Sequence, residues 1–284
     1  MVGRAAERAQ LDSLLAGLTT GHCPGLIHIV GDAGLGKSRL AGYLQSRSIT
    51  AAIRCLRMNA DSLRRTTGFY PWRQLVGALV GPDYSTVDLT DLLADDPAMA
   101  ALVPLLSPVL QTAISESEFT AQLFGAGRAE KTQGVITALL EHLIGPAPQV
   151  VIVEDAHWFD SASWQLLERF SRAFGHATLV PVCRPLDPDA LPFEARRLLD
   201  MPGAQVIRLG PFSRAESVDP VNASLNVVET APAIVELIYS HAEGQPLFTG
   251  GFGVVFARSG VGADRRGLCA FADGRKGQVA NRLS

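Results

Sequence analysis

Several things are scarce in this chain of 284 residues. There are four cysteines, Cys23, Cys55, Cys183 and Cys269, scattered without the spacing of a metal site or a redox pair. They fit reduced thiols in a cytoplasmic protein, and the six histidines do not cluster with them, which argues against zinc. Long apolar runs are missing as well. The densest, Ala98 to Leu110, is interrupted by Pro104, Ser107 and Pro108 and falls far short of a membrane span. No basic-then-apolar leader opens the chain, so secretion is not expected. An excess of one charge is lacking too: 25 Lys and Arg face 28 Asp and Glu, a net charge of −3. That balance gives no global pull toward nucleic acid or an anionic membrane. What remains, 47% apolar and 19% charged, is the composition of a globular protein long enough for one large domain and a small one.

The most informative segment is Leu26–Ser38. A short apolar run, Leu26 to Val30, reads as a buried strand and feeds into Gly31-x-x-x-x-Gly36-Lys37-Ser38, the spacing of a phosphate-binding P-loop. Gly31, Gly34 and Gly36 let the backbone bend so that successive N–H groups converge on an anion. Lys37 places a mobile charge on the β- and γ-phosphates, and the Ser38 hydroxyl suits Mg²⁺. A helix beginning near Lys37 turns its positive end toward the same phosphates. The strand before and the helix-like run after it supply the context that a chance match lacks.

A second motif stands at 149–155, Gln-Val-Val-Ile-Val-Glu-Asp. Its consecutive β-branched residues suit a strand buried on both faces of a parallel sheet. Glu154 and Asp155 then lie at the strand's carboxyl end, the edge where α/β folds bind ligands. One acid can hold Mg²⁺ through water while its neighbour orients the attacking water. Position assigns Glu154 to the metal and Asp155 to the water, with the reverse open. Asp160, before Ser161-Ala-Ser-Trp, reads as a helix N-cap.

Along the rest of the chain, Ile49 to Leu56 reads as a second strand. Residues 72–145 are helix-rich, with pieces at 72–79, 89–93 and about 130–143. A helix over 161–174 leads to a fourth strand, Ala177 to Cys183, ending at Arg184. A helix near 190–199 and a fifth strand from Gln205 follow. Alternation of this kind predicts an α/β fold: a P-loop NTPase with about five parallel strands covered by helices on both faces, plus a small helical lid. The expected division is a core over 1–210, a lid over 211–248 and a tail over 249–284. The tail holds eight glycines and six basic residues against two acidic ones, and is expected to be unstructured.

Several motifs in order resemble the STAND-type AAA ATPase module of bacterial LuxR-type large ATP-binding regulators and of adenylate-cyclase-associated ATPases. They are Val2-Gly3-Arg4-x-x-Glu7-x-x-x-Leu11, the P-loop continued by Arg39-Leu40, Tyr70-Pro71-Trp72, Glu154-Asp-Ala-His-Trp-Phe-Asp-Ser-Ala-Ser163 and Gly244-Gln-Pro-Leu-Phe248. The resemblance spans about 2–248. It implies ATP or ADP with Mg²⁺ as cofactors. Val2 and Arg4 would lie near the adenine, and Pro246 would pack on the base. The P-loop residues Gly31, Asp32, Ala33, Gly34, Leu35, Gly36, Lys37, Ser38 and Arg39 would hold the phosphates, with Mg²⁺ on Ser38 and Glu154. Asp155 would act on the water, and Arg184 would resemble the sensor arginine that touches the γ-phosphate. A surface arginine ending a strand is an equally good reading of Arg184, and a packed core pair of His157 and Trp158.

Three departures from the family stand out. Ala5 replaces an acid, Glu154 replaces the commoner aspartate, and after Phe248 the chain enters the glycine-rich tail instead of an effector region. The expectation is therefore a nucleotide switch module of a STAND-type regulator, cytoplasmic and shortened before its effector, by a frameshift or by design. It is compatible with slow Mg-dependent hydrolysis, self-association or a regulatory protein partner, and carries no nucleic-acid module of its own. The alternatives are a stand-alone ATPase acting on a protein partner, and a remnant that binds nucleotide without signalling.

Overall fold

The computed structural model describes residues 3–81, 86–110, 112–185, 192–225, 229–246, 262–263 and 268–270. In chain order the helices are α1 (Ala5–Thr19), α2 (Lys37–Thr50), α3 (Tyr70–Val80), α4 (Thr86–Leu92), α5 (Pro97–Ala100), α6 (Ser107–Leu110), α7 (Glu118–Ala121), α8 (Gly125–Ile144), α9 (Ser161–Ala173), α10 (Phe193–Leu199), α11 (Arg214–Leu225) and α12 (Pro232–Ala242). The strands are β1 (Ile27–Val30), β2 (Arg54–Asn59), β3 (Gln149–Glu154), β4 (Ala177–Cys183), β5 (Gln205–Arg208), β6 (Glu229–Thr230), β7 (Gly262–Ala263) and β8 (Leu268–Ala270). None of the described helices is long and apolar enough to cross a membrane.

The main sheet has five strands in the order β2-β3-β4-β1-β5. β2 pairs with β3, β3 with β4, and β4 with β1, all parallel, so β1, β3 and β4 end on one edge of the sheet. Every residue of β1, β3 and β4 is buried, whereas β2, at the margin, is mostly part-exposed. This is the expected five-stranded P-loop architecture flanked by helices, and the burial explains why β3 and β4 read as unbroken apolar runs.

The second strand lies later than the sequence suggests. Ile49 and Thr50 close the last turn of α2, and β2 begins at Arg54. β-Branched residues normally favour strands, but here the Ser48 hydroxyl bonds the Leu44 carbonyl and the Thr50 hydroxyl that of Ser46, both within helical turns. Between 97 and 121 the expected helix-rich region breaks into short pieces, each set by its own local signal. Asp96 caps α5 by accepting from Ala98 and Met99 N–H, with Pro97 at its first turn, and Ser117 and Thr120 form a capping box on α7.

The chain divides into two compact units: Leu11–Val30 with Leu44–Ile207, and Met1–Gln10 with Gly31–Tyr43 and Arg208–Ser284. The first holds the apolar core, in which Trp72, Trp164, Phe170 and Phe174 are buried. Phe170 and Phe174 stack with centroids 4.0 Å apart, and the Trp72 indole N–H donates to the Ser163 carbonyl at 3.3 Å. Burial of such large side chains supplies most of the drive to fold, roughly 1.5–3 kcal/mol each. Asp160 caps α9 as its sequence suggests, accepting from Ser163 N–H at 2.9 Å and from the Ser163 hydroxyl at 2.6 Å. The second unit contains the P-loop, α11 and α12. It also holds a small sheet in the order β6-β8-β7, in which β6 and β8 are parallel and β7 and β8 antiparallel.

Candidate functional site

The P-loop lies in the second unit, between the end of β1 and the first turn of α2. Gly34 and Gly36 take φ of +80° and +88°, a region closed to most side chains, and this lets the loop fold its amides inward. Gly31 is required for a different reason. A Cβ there would stand 2.8 Å from the Leu209 carbonyl oxygen, so the loop can begin only where the chain after β5 comes this close. Leu35 is buried and pins the loop from beneath, while Asp32, Ala33, Ser38 and Arg39 are exposed. Lys37 is buried in the loop, its ammonium donating to the Asp32 carbonyl at 2.8 Å. Position and charge together aim this lysine across the loop it belongs to.

A cavity of about 290 Å³ opens here, lined by Gly34, Gly36, Lys37, Ser38, Arg39 and Pro246. That is near the lower end of the range for small-molecule sites. Pro246 comes from the far end of the chain and is held by a backbone contact: Phe212 N–H donates to the Gly244 carbonyl at 2.7 Å. Gly244 sits at φ +71°, and a Cβ there would stand 2.3 Å from the Phe212 carbonyl oxygen. The Gly-Gln-Pro motif is therefore a docking point that sets a proline against the P-loop.

Arg4 also belongs to this unit, with a positive φ of 57° and 4% exposure. Its guanidinium donates to the Leu35 carbonyl at 3.2 Å, to the Gly210 carbonyl and to Glu7 at 3.2 Å, and lies over the Phe212 ring at 4.6 Å. Arg4 thus braces the underside of the P-loop. Val2, its neighbour in the motif, lies outside the described residues.

The two acids and Arg184 belong to the other unit. Glu154 ends β3 with its side chain only 5% exposed, and Arg57 of β2 donates to it at 2.8 Å. Asp155 follows in the left-handed region at φ 52°, its side chain 51% exposed. A non-glycine residue held in that region at a strand end stores strain of the kind that gathers at functional sites. The His157 ring is 6% exposed, tilts against Trp158 at 4.7 Å and brings Nδ1 to 3.9 Å from Asp155. The two rings pack against each other beside Asp155. Arg184 is exposed just beyond β4.

Two residues in this region were not singled out by motif, Arg57 and Gln45. The signal for Arg57 is an arginine inside the strand that flanks the acidic one, and only the β2–β3 register, Arg57 opposite Ile152, shows its relevance. No group of three or more metal-ligating side chains exists among the described residues. The hydroxyl of Ser38 and the carboxylates of Glu154 and Asp155 are oxygen donors of the kind that suits Mg²⁺, which binds through one or two protein groups together with nucleotide phosphates.

The AAA ATPase domain profile matches residues 1–183. No curated protein sequence matches the chain. Among solved structures, the Orc1 protein of Aeropyrum pernix, determined in complex with DNA, superimposes with a TM-score of 0.54 at 14% identity, covering 100% of this chain. The chain spans 65% of the length of that protein. At that identity the likeness concerns the fold alone. The profile match extends over the P-loop, the β3 acids and the end of β4, and by it the chain belongs to the AAA ATPase domain family.

Proposed function

We propose that the chain is the ATP- and ADP-binding switch module of a STAND-type signal-transduction regulator of the LuxR-type class. The observation that carries this is the convergence of the P-loop with Pro246 around one cavity, across about two hundred residues of sequence. A switch needs a wall that can respond to what the P-loop holds. Here Pro246, in the turn that follows α12, supplies that wall.

In this reading, the amides of Gly34 to Ser38 and the Lys37 ammonium bind the phosphates, and Pro246 covers the base. Ser38 and Glu154 would hold Mg²⁺, which when bound supplies charge stabilisation at the phosphates. Asp155 accepts a proton from, and orients, a water. Its exposure and strained backbone suit it to that part better than the buried Glu154. Arg184 senses the γ-phosphate. Helices α11 and α12 act as the lid, taking different positions with ATP and ADP and passing that difference to a regulatory protein partner.

The test is calorimetric titration of ADP and ATP with Mg²⁺ into the wild-type protein and Lys37→Ala. Loss of the charged phosphate contact is expected to weaken binding about 100-fold, with the circular dichroism spectrum unchanged. Equal binding by the two proteins would remove the phosphate-site reading.

A further inference from the structure

We propose that Arg4 is the positioning residue of the Gly36 amide, aiming and polarising this phosphate-binding N–H from beneath the P-loop. This rests on the reading of Gly34 to Ser38 as the phosphate site, and it assigns Arg4 to the phosphate end of the nucleotide.

One peptide plane carries the effect. The Leu35–Gly36 bond is trans, so its carbonyl and its N–H point in opposite directions. The Leu35 carbonyl faces the Arg4 guanidinium, which donates to it at 3.2 Å. The Gly36 N–H therefore points away from Arg4, and Gly36 lines the cavity. A cation on a carbonyl draws electron density toward the oxygen and leaves the N–H of the same amide more positive. Glycine also turns more freely than any other residue, and Gly36 stands at φ +88°. Its two flanking peptides are fixed by different means. The Gly36 carbonyl accepts from Leu40 N–H at 3.0 Å, which ties the following peptide to α2. Arg4 holds the preceding one.

Arg4 is itself held on several sides. Its Nη2 amino group donates to both the Leu35 and the Gly210 carbonyls, and Nη1 donates to Glu7 at 3.2 Å. The guanidinium lies over the Phe212 ring at 4.6 Å, and a Cβ on Gly3 would come within 3.1 Å of the same ring. Gly3 and Arg4 thus grip Phe212, whose N–H donates to the Gly244 carbonyl at 2.7 Å. A guanidinium so placed acts on a ligand through the loop, with its charge one amide away from the phosphates.

The experiment measures the affinity of the full chain, in EDTA, for ADP and for inorganic pyrophosphate, which has phosphates but no base. Arg4→Met keeps an unbranched stem and removes every donor. At equal folded fraction it is expected to weaken both probes by the same factor, about tenfold, the loss of a charge-assisted bond felt through one amide. In the ligand-free protein the Gly36 amide nitrogen is expected to shift upfield, because a bond to the preceding carbonyl deshields it. A side chain that only fills space predicts neither change. Unaltered pyrophosphate affinity overturns the proposal, and if ADP alone is weakened Arg4 belongs to the base. An unmoved Gly36 nitrogen overturns it as well. Should Arg4→Met fail to fold, the wild-type protein still decides: pyrophosphate is expected to shift the Arg4 guanidinium nitrogens through the shared amide, and no shift overturns it. The two readings fail separately. Undiminished pyrophosphate binding by Lys37→Ala removes the phosphate site, whereas a loss in Lys37→Ala with none in Arg4→Met removes the role of Arg4 alone.

Discussion

The two compact units are held together by different physics. The unit carrying β2, β3, β4 and β1 is an apolar interior in which whole strands are buried and aromatic rings stack. The unit carrying the P-loop relies on backbone meeting backbone: Gly31 against Leu209, Gly244 against Phe212, and Arg4 bonded to the carbonyls of Leu35 and Gly210. In the first, many dispersed contacts share the load, and a lost side chain costs stability in proportion to its volume. In the second, a few close approaches fix the shape of a cavity, and one added methyl group can misplace its wall. The same number of atoms therefore buys stability in one unit and geometry in the other.

Substitutions can separate the two. Phe170→Ala removes a ring that stacks on Phe174 and adjoins Trp72. It is expected to cost about 3–5 kcal/mol in urea unfolding, while the molecules that stay folded bind ADP normally. Weaker ADP binding at equal folded fraction would mean that core and site are not separable in this way. Gly244→Ala is expected to lose less stability, about 1–3 kcal/mol from backbone strain. It should nonetheless weaken ADP binding at least tenfold, because the collision with the Phe212 carbonyl displaces Pro246. Unchanged affinity would show that Pro246 is not part of the site.

The smallest effect concerns the start of α11, where Ser213 N–H and hydroxyl both donate to the Glu216 carboxylate at 2.8 Å. The Ser213 backbone bond, then its hydroxyl, holds this carboxyl below its usual value. A lowered value in the folded state means that the contribution is complete above the ordinary glutamate range and fades as pH falls through the lowered one. Glu216→Gln is expected to reduce stability by about 0.5–1 kcal/mol at pH 7, with the difference closing in acid. A difference that persists at low pH would assign it to packing instead.

The sequence exposed those features whose signal is local. The P-loop spacing, the apolar runs of β3 and β4 and the Asp160 cap all lie within a few residues of the partners that explain them. Strand β2 lies later than the sequence suggests because Ile49 and Thr50 carry strand preference but end α2, where the Thr50 hydroxyl bonds the Ser46 carbonyl of the preceding turn. Arg57 was illegible for a related reason. Its partner Glu154 is 97 positions away, and only the parallel register of β2 and β3 makes them neighbours. The Gly244 motif was visible as a family landmark, but its physical cause, the approach of Phe212, required the fold. For Arg4 the resemblance implies proximity to adenine, and only the fold shows its guanidinium bonded to the Leu35 and Gly210 carbonyls.

The cavity is lined by Pro246 as well as by the P-loop, and this has a temporal meaning. On the ribosome the P-loop emerges about two hundred residues before the turn that walls it. A nascent chain can complete β1 to β4, with their buried core, while Gly31–Ser38 still lacks the Leu209 and Pro246 contacts. Domains fold as units during synthesis. The apolar unit is thus ready first, and the P-loop meets Pro246 only after α12 has been made. One wall of the cavity is thus laid down long after the loop that it faces.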